Sequence, residues 1–256
     1  MAGHSKWANI KRQKARVDAV KGKVFTKISR EIIVAARTGG GDPAANFQLR
    51  TAIDKAKAAG IPNDNIDRAI AKGTGTLDAE ETALEAIRYE GYGVAGVAVL
   101  IEGLTDNRNR TAADLRSAFS KNGGNLGETG CVSWMFDQKG VVTLAGSIDE
   151  EKLLEASVEG EAESYELTPV DDKEGAEVFT DVSHLEQLNQ VLQKQGFNVV
   201  QAELRWIPNN TVEVDDLEQA KSIIKLMDAL EDLDDVQNVT ANFELSDACY
   251  QALEAQ

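Results

Sequence analysis

Cysteine is nearly missing from this sequence: only Cys131 and Cys249 occur among 256 residues. Two thiols make no disulfide framework, and their separation rules out a Cys-rich zinc site, so a reducing compartment is expected. Histidine is as scarce, with His4 and His184 far apart. The chain has no His-x-x-x-His pair, no Gly-x-Ser-x-Gly and no Cys–His motif, so neither a metal site nor a nucleophilic site is expected. Apolar runs fall short of membrane-spanning length, which argues for a soluble protein without a membrane partner. No acid precedes Asp18. The opening segment superficially suggests an organellar transit peptide, but it lacks the serine enrichment of one and the apolar core of a secretory signal. It is therefore read as part of the mature protein.

Acid is what the chain has in excess, with 43 Asp+Glu against 27 Lys+Arg and a net charge of −16. Such a surface repels phosphate at long range. The average hides a split: residues 1–76 hold 15 of the cations and only 6 of the acids, giving +9, while the remainder carries −25. A polyanionic partner is thereby indicated for the first part alone. An acid/base pair among so many carboxylates would leave no spacing signature, and the plainer reading is a solvated acidic surface. No catalytic residues and no cofactor are expected, and the protein is not expected to be an enzyme.

Over 24–37 the apolar residues Phe25, Ile28, Ile32 and Ala36 recur at helical spacing, with Lys23, Lys27, Arg30 and Arg37 on the opposite face. The glycines at 39–41 end this helix, and Asp42-Pro43 signals the start of a second one running to about Ala59. Gly60 closes it, and a short third helix carrying Ile66 and Ile70 ends at Gly73. Beyond a hinge at 73–76 the grammar becomes mixed. It predicts a helix over 78–89, a strand over 97–102, a helix over 111–121 and a hairpin formed by 132–136 and 140–144. Further elements are predicted as a helix near 149–157, strands near Tyr165 and Val178, a helix over 183–195, a strand over 197–205, and a strand, helix and strand over 211–214, 217–230 and 236–243. The fold class expected is multidomain α+β, an N-terminal helical bundle followed by two α+β domains of ferredoxin-like type, one inserted in the other. The boundaries expected are 1–76, then 77–130 with 206–246, and 131–205 as the insertion.

Several motifs are weighed against plainer roles. Gly91, Gly93 and Gly96 match the spacing of a dinucleotide-binding loop, yet they follow a predicted helix and open a strand, so they are read as turn glycines supplying φ > 0. The glycines at 39–41 lack the Lys-Ser/Thr of a phosphate loop. The positive signal is the basic segment with Lys6, Lys11, Arg12, Lys14, Arg16, Lys21 and Lys23, in which Trp7 is the only aromatic and the one candidate stacking platform. The cationic face of the helix at 23–37 extends this charge onto an ordered element. A polar run, Thr105-Asp106-Asn107-Arg108-Asn109-Arg110-Thr111, opens a helix. It reads equally as an anion site built from Arg108 and Arg110 or as a capped turn. Residues 149–177 hold 12 acids against Lys152 and Lys173 and should avoid nucleic acid. Trp134 and Trp206 are read as core residues.

The same residues carry a resemblance. MAGHSKWANIK at 1–11, FTKISREI at 25–32, GGGDP at 39–43 with Asn46, Leu49 and Arg50, PNDNI at 62–66, YEGYG at 89–93, TDNRNRT at 105–111 and the glycine series through 130 with Phe136 closely resemble the YebC/PmpR family. The mitochondrial translational activator of cytochrome oxidase subunit I is similar too. Gly60, Val94 and Cys131 depart from the pattern, where methionine, proline and serine are usual; these positions touch loops and packing, not the basic face. The resemblance implies a helical N-terminal domain with two α+β domains, one interrupted by the other, and a bacterial-type cytoplasm. Two functions are implied: a DNA-binding transcriptional regulator, and a ribosome-associated factor that contacts ribosomal RNA and tRNA and relieves stalling at proline-rich stretches. A protein-interaction module acting through the acidic domains is a third reading. The expected state is a monomer whose nucleic-acid-binding residues are those of the basic segment and helix together with Arg108 and Arg110.

Overall fold

The structure is a computed structural model that describes residues 21–76, 84–170 and 173–254. The chain resolves into two compact units, Met1–Phe136 with Pro208–Gln256 and Asp137–Ile207.

The larger unit begins with three helices, α1 (Lys21–Gly39), α2 (Phe47–Ala58) and α3 (Asn63–Gly73). The spacing of apolar residues seen in the sequence drives their association: Ile28, Ile32, Ile33 and Ala36 of α1 bury against Leu49, Ile53 and Ala56 of α2 and Ile66 and Ala69 of α3. Asn46 joins two helix ends at once. Its amide donates to the Ala35 and Gly40 carbonyls at 2.8 Å each, and its Oδ1 accepts from Leu49 N–H at 3.0 Å. Orphan groups of the end of α1 and of the start of α2 are thus satisfied by one buried side chain. This corrects the predicted start at Asp42-Pro43: Asp42 instead caps a turn, accepting from Ala44 N–H, and α2 begins five residues later than that aspartate. Gly73 is helical, and its role is close approach, since a Cβ there would strike the Ile33 carbonyl of α1.

The α+β part of this unit contains β1 (Glu85–Tyr92), β2 (Ala98–Thr105), α4 (Arg108–Lys121), β3 (Asn125–Leu126), and, later in the chain, β8, α7, β9, β10 and α8. Its sheet has the order β3-β1-β2-β9, with α7 (Leu217–Glu231) and β9 (Val236–Ala241) running through its core. A short parallel pair joins β8 (Val212–Val214) and β10 (Phe243–Leu245), and α8 is Asp247–Glu254.

The helix predicted over 78–89 is overturned in its described half. Residues 85–92 form β1, paired antiparallel with β2 along its whole length. Ala, Glu and Arg favour a helix locally, but pairing with the apolar β2 overrides a weak propensity. Of the three spaced glycines only Gly96 takes a positive φ, at +73°, while Gly91 lies inside β1 where a Cβ would meet Phe119. The predicted hairpin over 132–144 is also absent. A single turn of 3-10 helix, Ser133–Met135, leads into one continuous strand, β4 (Phe136–Ala145).

Within the smaller unit, β4, α5 (Glu150–Glu159), β5 (Ala162–Leu167), β6 (Gly175–Thr180), α6 (Leu185–Lys194) and β7 (Val199–Pro208) follow a βαββαβ succession. The sheet order is β5-β6-β4-β7, the ferredoxin-like arrangement. The molecule is therefore a multidomain α+β protein.

Candidate nucleic-acid interface

Lys6, Trp7, Lys11, Arg12, Lys14 and Arg16 lie outside the described residues, and Lys21 opens α1. Lys23, Lys27 and Arg30 of α1 are brought together, and what they meet is the acidic end of α7. Lys23 Nζ donates to the Asp232 carbonyl at 3.2 Å and to its carboxylate at 3.3 Å. One turn on, Lys27 Nζ donates to the Glu231 carbonyl at 2.6 Å. Arg30 then donates to the Asp234 carbonyl at 2.7 Å and the Asp235 carboxylate at 2.8 Å, with the Leu104 carbonyl at 3.3 Å. Arg37 donates to the Leu84 carbonyl at 3.4 Å.

The chemistry of α7 explains this convergence. A helix C-terminus bears partial negative charge and unpaired carbonyls, which basic side chains in the last turn usually compensate. Helix α7 has none there; instead Glu231, Asp232, Asp234 and Asp235 follow one another within five residues. The missing cations come from α1, whose i, i+4 spacing of Lys23 and Lys27 presents them on one face.

Asp235 is the centre of the site. It is only 5% exposed and accepts from Arg30, from Arg110 at 2.7 Å, from Thr111 at 2.7 Å and from Thr105 at 3.1 Å. Burial alone would raise its carboxyl, but hydrogen bonds from Arg110, Thr111 and Arg30 outweigh that and hold it below the usual carboxylate range. The same hydrogen bond, with a second to Asp106, raises the Arg110 guanidinium. Asn107 caps α4 by accepting from Arg110 N–H at 3.1 Å, and Arg108 lies 3.7 Å from Glu85. In the polar run, then, Arg110 faces two carboxylates and the backbone forms a capped turn.

Cations also point outward from the other two helices: Lys57, Arg68 and Lys72 are exposed. A groove of about 920 Å³ between α2 and α3 is lined by Arg50 and Lys57 but equally by Asp54 and Asp67, over an apolar floor of Ile53, Ile66 and Ile70. With both signs on its rim, it is no phosphate cradle. Among the described residues no cluster of His, Cys, Asp and Glu could hold a metal ion, and no helix is long and apolar enough to cross a membrane.

Two buried carboxylates escaped the sequence reading. Asp235 had a signal, the acidic run at a helix end; Glu90 had none. The Glu90 side chain, 1% exposed, accepts from the backbone N–H groups of Gly130, Val132 and Ser133 at 2.7–2.8 Å. Burial opposes its charge, yet those donors hold it below its ordinary value of 4.5. Trp134, on the loop so anchored, is 69% exposed, which corrects the expectation that it is core. Its indole N–H is fixed on the Cys131 carbonyl at 3.1 Å, so the ring can satisfy its polar atom without being buried.

Two family profiles match this chain. One, described as the TACO1/YebC protein N-terminal domain, covers residues 5–76; the other, the TACO1/YebC second and third domain, covers residues 84–243. The chain is 74% identical to a probable transcriptional regulatory protein of Gloeothece citriformis over 96% of this chain and 97% of that protein. It is 70% identical to another of that name from Trichodesmium erythraeum, over 99% of both. A crystal structure of a conserved hypothetical protein from Aquifex aeolicus matches with a TM-score of 0.81 and 46% identity, covering 91% of this chain and 94% of that one.

Proposed function

Because this chain belongs to the TACO1/YebC family, whose bacterial relatives bear the name probable transcriptional regulatory protein, we propose that it is a nucleic-acid-binding regulator of gene expression rather than an enzyme, with DNA as its partner. The observation that carries this reading is the charge split, +9 over residues 1–76 against −25 elsewhere. A cationic segment on an acidic body draws phosphate to one end and repels it from the rest. Since Lys23, Lys27 and Arg30 are engaged by α7, first contact falls to Lys6, Lys11, Arg12, Lys14, Arg16 and Lys21. In this reading the protein works as a cytoplasmic monomer with three domains, 1–76, 77–130 with 206–246, and 131–205. The break between the family profiles at 76 and 84 supports the first of those boundaries.

Helices α2 and α3 are separated by four residues, 59–62, a helix-turn-helix-like spacing. The outward face of α3 nevertheless carries Asp64 and Asp67 beside Arg68 and Lys72, so specificity would be modest or read from DNA shape. A second reading, a ribosome-associated translation factor, is favoured by the concentration of cations in one short stretch of sequence on an otherwise acidic chain, which suits a crowded RNA cavity better than an open duplex. Binding to duplex DNA and to single-stranded RNA should be measured across a salt series, with and without residues 1–20. Affinity should fall steeply with salt and collapse in the truncated protein. Affinity indifferent to both would favour a protein-interaction module, and sedimentation with ribosomes unaffected by competing DNA would favour the second reading.

A further inference from the structure

We propose that the face of α1 bearing Lys23, Lys27 and Arg30 is a second phosphate-binding surface, held closed by the acidic end of α7 and opened when a nucleic-acid backbone competes for its cations. The inference rests on the nucleic-acid reading above but concerns a different set of residues from the N-terminal segment.

Four observations support it. Three cations on one helical face meet one short stretch, 231–235, and among the described residues nothing comparable ties down Lys57, Arg68 or Lys72 of the neighbouring helices. The contacts are polar, made to carbonyl and carboxylate oxygens, which are the acceptors a phosphate replaces most directly. The outermost of them is solvent-accessible, with the Lys23 and Asp232 side chains 48% and 76% exposed, so competition can begin at that edge. Finally, the occupant cannot stay once displaced. The end of α7 supplies no cations of its own and carries Glu231, Asp232, Asp234 and Asp235, so a polyanion on α1 repels it.

Asp235 supplies the second state with a resting place. When Arg30 leaves, that carboxylate keeps Arg110, Thr111 and Thr105, so it remains paired and hydrogen-bonded. Opening exposes no uncompensated buried charge. The N-terminal segment would bring the nucleic acid close, and the α1 face would take over contacts only after displacement. The protein then has a weakly and a strongly bound form.

The test uses full-length protein carrying Asp232→Asn with Asp235→Asn, and fluorescent duplex DNA and single-stranded RNA as separate probes. Removing the two carboxylates that hold Lys23 and Arg30 should steepen the slope of log affinity against log salt by about two, because each phosphate contact contributes close to one. The gain should vanish when Lys23→Ala and Arg30→Ala are added. A control of equal charge change on exposed positions, Asp114→Asn with Glu213→Gln, should leave the slope unaltered. Where Asp235→Asn fails to fold, dyes at the exposed Gln48 of α2 and Ala113 of α4 serve on otherwise unaltered protein, and their energy transfer should drop as nucleic acid is added. Binding through residues 1–20 with an unaltered slope, or with unchanged transfer, overturns the closed-face proposal and leaves the nucleic-acid reading standing. Failure of every form to bind either probe overturns both.

Discussion

The basic run of α1 and the acidic run around α5 are both obvious in the sequence, yet the fold treats them oppositely. Lys23, Lys27 and Arg30 are all drawn into internal contacts, whereas Glu150, Glu151 and Glu155 of α5 stay exposed. In a chain with 43 acids and 27 cations, positive charge is the scarce partner, and these cations of α1 are drawn inward while Arg68 and Lys72 of α3 stay exposed. Within the smaller unit the same economy appears, with Arg205 held between Glu177 and Glu203 and Lys139 on Glu163. A cationic cluster in an acidic protein is therefore not automatically a free surface. Its availability depends on which carboxylates the topology brings near.

Asp235 holds the largest number of these internal contacts. Asp235→Ala leaves Arg30 and Arg110 facing each other without the carboxylate they share, and strips Thr105 and Thr111 of their acceptor. Arg30 and Arg110 are 20% and 46% exposed, so the loss is that of the charge-assisted hydrogen bonds, about 1.5–3 kcal/mol. Urea unfolding should show a loss in that range; a loss under about 1 kcal/mol would mean that the α1–α7 contact is incidental.

Glu90 is the opposite case, since its charge is held by backbone N–H groups and no cation among the described residues pairs with it. Glu90→Gln retains one good acceptor, so at least one of the Gly130, Val132 and Ser133 donors loses its partner, at about 1–3 kcal/mol. The pH dependence follows from the sign of the shift. The folded-state values of both Glu90 and Asp235 lie below their ordinary ones, so their stabilisation is complete above the ordinary carboxylate range and lost as pH falls through the folded values. Thermal melts from neutral pH downward should show stability declining on the acid side, and Glu90→Gln should flatten part of that decline. An acid limb identical to that of the unaltered protein would refute the assignment for Glu90.

How much of this was legible beforehand varies with the kind of signal. The three-helix bundle was readable because Phe25, Ile28, Ile32 and Ala36 fix a helical period that packing reinforces. So was the general α+β alternation. Strand β1 was not: Glu85-Ala86-Ile87-Arg88 has helical composition, and only its pairing with β2, distant information, makes it a strand. The basic face of α1 was visible, but its partner sits some 200 residues away, at the end of α7. The one local hint was the sequence Glu231-Asp232-Leu233-Asp234-Asp235 at a helix C-terminus, a charge arrangement that is unfavourable unless cations arrive from elsewhere. Glu90 offered no hint, because a buried carboxylate satisfied by a loop looks like any other glutamate in sequence.

The smallest effect belongs to the outer edge of the α1–α7 contact, and it bears most directly on whether that face can open. Lys23 makes two bonds to one residue, a carbonyl and a carboxylate of Asp232, both at an exposed position. An exposed ion pair contributes about 0–1 kcal/mol, and a cation at a helix C-terminus about 0.3–1 kcal/mol. Lys23→Ala removes both, while Asp232→Asn removes only the ion pair, so unfolding experiments on the two single variants and the double variant separate them. A loss below about 1 kcal/mol for Lys23→Ala, most of it surviving in the Asp232→Asn background, identifies the helix end as the main acceptor. The edge is then weak enough for a phosphate to displace it. A loss of several kcal/mol would instead make the α1–α7 contact a permanent part of the core.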